Sequence, residues 1–335
     1  MSDDTNCGDG GGADTFAGLR IGSVFIILAT SMTGALFPIL AKRTTWLTVP
    51  KSVFDFAKYF GSGVIIATAF IHLLASGVTE LNSPCLDPAW LIYPYPLALS
   101  MLAIFAIFIV ELIAFRWGTA KLAAMGKSHD PHGHSFGHAA HGPEDNHDAI
   151  KEEKVSNDIE TASVSDDDKD WSDALGQMIG VAILEFGVLL HSVLIGLTLA
   201  VDPDFKVLFV VIIFHQTFEG LGIGSRLAVL DLPKRYNWLI MFGGVLYGIT
   251  TPIGIAAGLG IKSTYNPNGT KASIVSGVMD SLSSGILIYT GLVELLAHEF
   301  LFNKEMNRAS NGRLAYALTC MIAGCGIMAL LGRWA

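Results

Sequence analysis

Charge is what this 335-residue chain has least of: Asp, Glu, Lys and Arg make up 15% of it, against 51% hydrophobic residues. Soluble domains carry about 25% charged residues, so a soluble globular protein is excluded and a polytopic membrane protein is indicated. Mean hydropathy, +0.51, agrees. Cysteine is also scarce. Four residues without CxxC spacing exclude a disulfide framework. Cys320 and Cys325 lie in an apolar run and read as small hydrophobes. Cys7 and Cys85 fall in segments assigned to the outside, where one bridge or two free thiols are both consistent. Basic clusters are missing too. The net charge of −9 comes largely from one loop and the N-terminal tail, and nothing resembles a nucleic-acid surface. Met1 to Phe16 lacks the basic flank and short apolar core of a cleaved leader, so the first span is expected to be its own targeting signal.

Long apolar runs are plentiful. A helix of about 20 apolar residues crosses the hydrocarbon core, and eight such spans are expected at 19–41, 54–76, 93–116, 174–200, 206–229, 236–260, 272–300 and 311–332. The chain therefore reads as an all-α integral membrane protein, since each backbone polar group in lipid must be satisfied within its own helix. The 36 glycines suit close helix approach. Asp55 and Lys58, at the start of span two, are expected to snorkel to the interface. Lys42, Arg43, Lys51, Arg226, Lys234, Arg235, Lys304, Arg308 and Arg313 occupy loops on one face. That face is expected to be cytoplasmic and both termini extracellular. The Asn268-Gly269-Thr270 sequon, on the other face, agrees weakly.

The resulting organisation is an extracellular disordered tail (1–18), spans one to three (19–117), a long cytoplasmic loop (118–172) and spans four to eight (173–335). The loop holds six of the ten histidines: His129, His132, His134, His138, His141 and His147. Nothing apolar there could build a core, and histidine at this density beside carboxylates reads as a flexible metal-binding tract. Capture, buffering or sensing suits it better than transport, because a floppy segment does not preorganise a site.

Ionisable residues inside the spans point to function. Each costs roughly 2.5–3.5 kcal/mol to insert, so it usually faces the bundle interior. In span five, His215-Gln216-Thr217-Phe218-Glu219 interrupts an apolar stretch, with His215 and Glu219 on one face at i and i+4. Span four carries Glu185 and His191-Ser192. A short turn, Asp202-Pro203-Asp204, makes spans four and five antiparallel neighbours, so His191 is expected near the depth of His215 and Glu219. Two imidazoles, a carboxylate and the Gln216 amide make a nitrogen–oxygen shell suited to Zn²⁺ or Fe²⁺. Interhelical hydrogen bonding is the plainer reading for a lone histidine, and it fits this group less well. His72, placed near the outer end of span two, either lines an entrance or caps the helix. Glu294 and His298 in span seven either line an exit or hold the helix end near headgroups. Thr250-Thr251-Pro252 in span six allows a hinge. Phe302 stands where a second zinc ligand would follow His298-Glu299, which excludes an HExxH protease.

With these residues in view, the stretch from Glu185 to Ala228 resembles the ZIP (Zrt-, Irt-like) metal transporters. The resemblance rests on His191-Ser192-Val193-Leu194-Ile195-Gly196 and His215-Gln216-Thr217-Phe218-Glu219-Gly220, and the wording is most like the fungal plasma-membrane zinc permeases. It implies uptake of Zn²⁺, in some members Fe²⁺, Mn²⁺ or Cd²⁺, into the cytosol, and no enzymatic activity. It also implies a plasma-membrane location, with endomembrane or vacuolar membrane as alternatives. By position, His191, His215, Gln216 and Glu219 match the transport site, with Ser192 at its edge. Spans one, four, five and six are expected to move against the other four, often within a homodimer surrounded by lipid. Ile195 stands where some members have a bridging glutamate, which favours one principal metal. The alternative function is a membrane sensor that binds zinc without net flux.

Overall fold

The computed structural model describes residues 7–8, 11, 15–44, 49–124, 166–230, 232, 234–263 and 265–334. Among them are eight helices long and apolar enough to cross a membrane: Ala17–Arg43, Lys51–Leu81, Tyr95–Ile113, Gly180–Val201, Phe205–Val229, Asn237–Ile261, Thr270–Phe302 and Asn311–Leu331. These are spans one to eight below. All the regular structure among the described residues is helical.

Three boundaries differ from expectation in ways that matter. Span two runs to Leu81 rather than 76, because Ser76, Thr79 and Glu80 lower the local hydropathy without breaking the helix. The helices flanking the long loop also reach into it, as Tyr95–Ala124 and Asp166–Val201. Ala120-Lys121-Leu122-Ala123-Ala124 are all strong helix formers, so the chain has no local reason to stop at 117. The histidines from His129 to His147 lie outside the described residues.

Packing divides the spans into two groups. Spans one, four, five and six pack mainly on one another, as do spans two, three, seven and eight. Inside the first group, Arg20 of span one is buried and caps the end of span four. Its Nη1 donates to the carbonyls of Leu199 and Ala200, each at 3.0 Å, and its Nη2 to that of Asp202 at 2.6 Å. A cation suits a helix C-terminus, where the last carbonyls have no partner within the helix. The Phe205 ring, 4.5 Å from the guanidinium carbon, covers it. Inside the second group, the Ser100 hydroxyl of span three donates to the Ser281 carbonyl of span seven at 2.7 Å.

The seam between the groups is tight where span two crosses span five. Gly61 and Gly222 meet there backbone to backbone, and a Cβ on Gly222 would lie 2.8 Å from the Gly61 oxygen. Only glycine permits that approach. Away from the seam, span three turns Leu102, Phe105 and Ile113 outward, each more than half exposed. An apolar surface of this extent suits lipid rather than water.

With eight spans both termini share one end of the bundle, the terminal end. Cys7 and Cys85 are joined there by a disulfide, which decides between the two readings of these thiols. The Thr270 hydroxyl donates to the Cys85 carbonyl at 2.8 Å, and the Asn266 amide to the Gly8 carbonyl at 2.7 Å. The N-terminal tail is thus tied to the loops after spans two and six. The opposite end carries most of the lysines and arginines of the short loops.

Candidate metal site

The site is built where spans four and five face spans two and seven. Span five presents His215, Gln216 and Glu219, all fully buried. One helical turn separates His215 from Glu219, and Nε2 of the first lies 3.6 Å from Oε2 of the second. Span four adds His191 and Ser192, also buried, with the His191 ring centred 5.6 Å from that of His215. Span six holds the glutamine and glutamate from behind. Gln216 donates through Nε2 to the Thr251 hydroxyl at 2.6 Å, which leaves its Oε1 facing elsewhere as an acceptor. Tyr247 donates to the Gln216 carbonyl at 2.7 Å and lies 3.5 Å from Glu219 Oε2.

His72 requires a correction. It is not at the outer end of span two but beside the central pair, its ring edge-on to His215 with centroids 4.8 Å apart. Span two is longer than the apolar run suggests, so this residue sits deeper. It also lies on a π-helical turn, Thr68–Leu74, a distortion often found at functional positions. Nε2 of His72 is 3.1 Å from the Met328 carbonyl. A carbonyl only accepts, so Nε2 carries the proton and Nδ1 keeps its lone pair.

Asp280 of span seven completes the group. Its Oδ2 accepts from the Ser76 hydroxyl at 2.9 Å, and its Oδ1 lies 3.5 Å from His191 Nδ1. Sequence reading missed it, although a lone carboxylate in an apolar span was a usable signal. Tyr247 was missed as well, and nothing local distinguishes it from a packing aromatic.

These side chains share an unusual electrostatic condition. Both ring nitrogens of His191 and of His215, Oε1 of Gln216, Oε1 of Glu219, Oδ1 of Asp280 and the Ser192 hydroxyl are buried without a hydrogen-bond partner. A buried polar atom left unpaired costs about 1–3 kcal/mol, so so many in one place call for a ligand. A divalent cation satisfies lone pairs on imidazole, amide and carboxylate together. The contacts are pairwise: among the described residues no three His, Cys, Asp or Glu side chains converge on one point.

Other candidate residues lie apart. Glu185, six residues before His191 and so about 9 Å along the helix, packs against span six at Gly243, with an unpartnered Oε1. Glu294 and His298 are half-buried on a second π-helical segment, Thr290–Phe302. Their neighbour Glu299 anchors a charged cluster on the seam. Its Oε1 pairs with Lys58 and accepts from the Tyr59 hydroxyl at 3.4 Å, and its Oε2 lies 3.8 Å from Arg226 Nη1. Arg226 Nη2 donates to Ser62 at 2.8 Å. Lys58 thus turns to the Glu299 carboxylate between the spans rather than standing alone at the start of its helix. The cluster borders a cavity of about 480 Å³ whose lining includes Lys42, Lys51, Asp55, Glu305 and Arg313.

Comparison with known proteins adds an independent line. The ZIP Zinc transporter family model matches residues 17–332. Zinc-regulated transporter 1 of Schizosaccharomyces pombe is 40% identical over 362 residues, covering 97% of this chain and 88% of the relative. Zinc-regulated transporter 1 of Saccharomyces cerevisiae is 39% identical, covering 95% and 88%. The Fe(2+) transport protein 1 of Arabidopsis thaliana is 32% identical, covering 95% and 86%.

Proposed function

The chain belongs to the ZIP zinc transporter family, and from that premise we infer that it imports Zn²⁺ through the buried site between spans four and five. It is a multi-pass membrane protein and a transporter rather than an enzyme. The sensor alternative finds no support among relatives that are transporters by name. The plasma membrane is the location we carry forward from the resemblance, and the Arabidopsis relative, an Fe(2+) transport protein by name, makes Fe²⁺ a second cargo to test.

The observation that carries the site is the set of unpartnered lone pairs on His191, His215, Gln216 and Glu219. Zinc sheds water to enter, and these atoms replace it. His191, His215 and Glu219 supply two neutral nitrogens and one charged oxygen, while Gln216 and Ser192 stand at the edge. No thiolate is present, which keeps binding moderate enough for release.

The positive-inside pattern puts both termini outside and the Glu299 cluster toward the cytosol. Alternating access then has a concrete form. Spans one, four, five and six carry His191, His215 and Glu219 past the other four, and the Gly61–Gly222 crossing is the sliding contact. Arg226 on the carrier side and Glu299 on the standing side form a link that must break or re-form in each cycle. Released zinc would leave toward the histidine-rich loop.

The test is ⁶⁵Zn uptake by zinc-starved cells expressing the protein, with surface levels matched to an empty-vector control. Saturable uptake above the control supports import. Surface-localised protein without uptake of zinc or iron would overturn it.

A further inference from the structure

Asp280 is buried, belongs to the standing group, and aims an unpartnered oxygen across the seam at a histidine of the carrier group. Such an arrangement is costly for a purely structural carboxylate. Its Oδ2 is held by Ser76 at 2.9 Å, but Oδ1 has no donor within hydrogen-bond geometry, and neither does the His191 Nδ1 that faces it at 3.5 Å. An unpaired carboxylate oxygen and an unpaired imidazole nitrogen facing each other at that distance are placed to bind one cation after a small inward shift. On the same standing side, His72 is oriented by the Met328 carbonyl so that Nδ1 keeps a lone pair, and its ring abuts His215. A backbone or hydroxyl contact that fixes a ligand's orientation is the usual support for a metal-binding side chain.

We propose that Asp280, oriented by Ser76, is a zinc ligand of the standing wall that shares the ion with His191 and passes it to the carrier set of His191, His215 and Glu219. The proposal rests on the import reading above and extends it to a wall of the pathway that the paired motifs do not reach. It gives Asp280 two consequences that a packing residue lacks. A carboxylate partner raises the site's affinity for a dication relative to a neutral oxygen. It also needs only to reach the same spot, whichever helix supplies it. Because Ser76 and Asp280 touch through their side chains, the carboxylate can be exchanged between them.

The experiment measures ⁶⁵Zn uptake at matched surface levels for the wild type, Asp280→Asn, Asp280→Ser, and the double variant Asp280→Ser with Ser76→Asp. Asp280→Asn preserves shape and removes the charge. It is expected to raise KM about 10-fold or more, since even the outer contacts of a metal site are worth about 10- to 100-fold, with a smaller change in kcat. The double variant is expected to recover most of the loss in Asp280→Ser. Binding of Zn²⁺ to the purified proteins, read by titration, should follow KM rather than kcat. Wild-type KM in Asp280→Asn, or an equal loss in the single serine and double variants with all proteins folded and at the surface, would overturn the proposal. Absence of uptake by the wild type would instead overturn the import reading itself, so the two failures are separable.

Discussion

The two walls of the pathway are built by different means. On the carrier side, spans four and five place His191-Ser192 and the His215–Glu219 pair on ordinary α-helix, so a single turn brings ligands together. On the standing side, His72 and Asp280 come singly from spans two and seven, one on a π-helical turn and the other beside a serine 204 positions away. The first wall is a local motif and the second is a tertiary one. A wall with paired ligands can hold an ion by itself. Under the proposed transport, a wall with isolated ligands meets an ion that the other wall presents, the asymmetry expected of a moving carrier against a standing scaffold.

The comparison breaks most directly at the carrier ligands. His215→Ala and Glu219→Ala are each expected to reduce ⁶⁵Zn uptake to background at matched surface levels, whereas Asp280→Asn is expected only to weaken affinity. Equal losses from the two walls would remove the distinction.

The charged cluster on the seam comes next. Glu299 sets one carboxylate between Lys58 and Arg226, so Glu299→Ala leaves two mostly covered like charges facing each other without it. A stability loss on the order of 3–5 kcal/mol is expected, measured as a fall in unfolding temperature in detergent. Arg226→Met should cost less, because Lys58 still pairs with the carboxylate. A larger loss from the arginine variant would show that the carrier side, not Glu299, anchors the cluster.

The smallest effect is expected at Tyr247, which supports the carrier ligands from span six. Tyr247→Phe removes one hydrogen bond to the Gln216 carbonyl, worth about 1 kcal/mol, and should raise KM a few-fold with surface level nearly unchanged.

How much was legible follows the same division. The eight spans could be read from hydropathy, and the nearness of His191, His215 and Glu219 from spacing and from the resemblance. Both signals are local. His72 was assigned to the wrong depth because Ser76, Thr79 and Glu80 look like the start of a loop, although they continue the helix to Leu81. Asp280 was passed over because its meaning depends on Ser76 and His191, which only the fold brings near. Lys58 looked like an interfacial lysine until Glu299 of span seven was placed beside it. The division into two groups of four helices, expected from the resemblance alone, is carried in the structure by contacts such as Arg20 on span four and Ser100 on span seven.

The central claim is zinc movement through the buried His/Glu site, and purified protein in sealed liposomes tests it without other transporters. Zn²⁺ is added outside and followed by an indicator dye trapped within, for the wild type and for His215→Ala with Glu219→Ala. The account predicts saturable entry with the wild type and none above empty liposomes with the double variant. Entry at the wild-type rate through the double variant, with protein content matched, would contradict it.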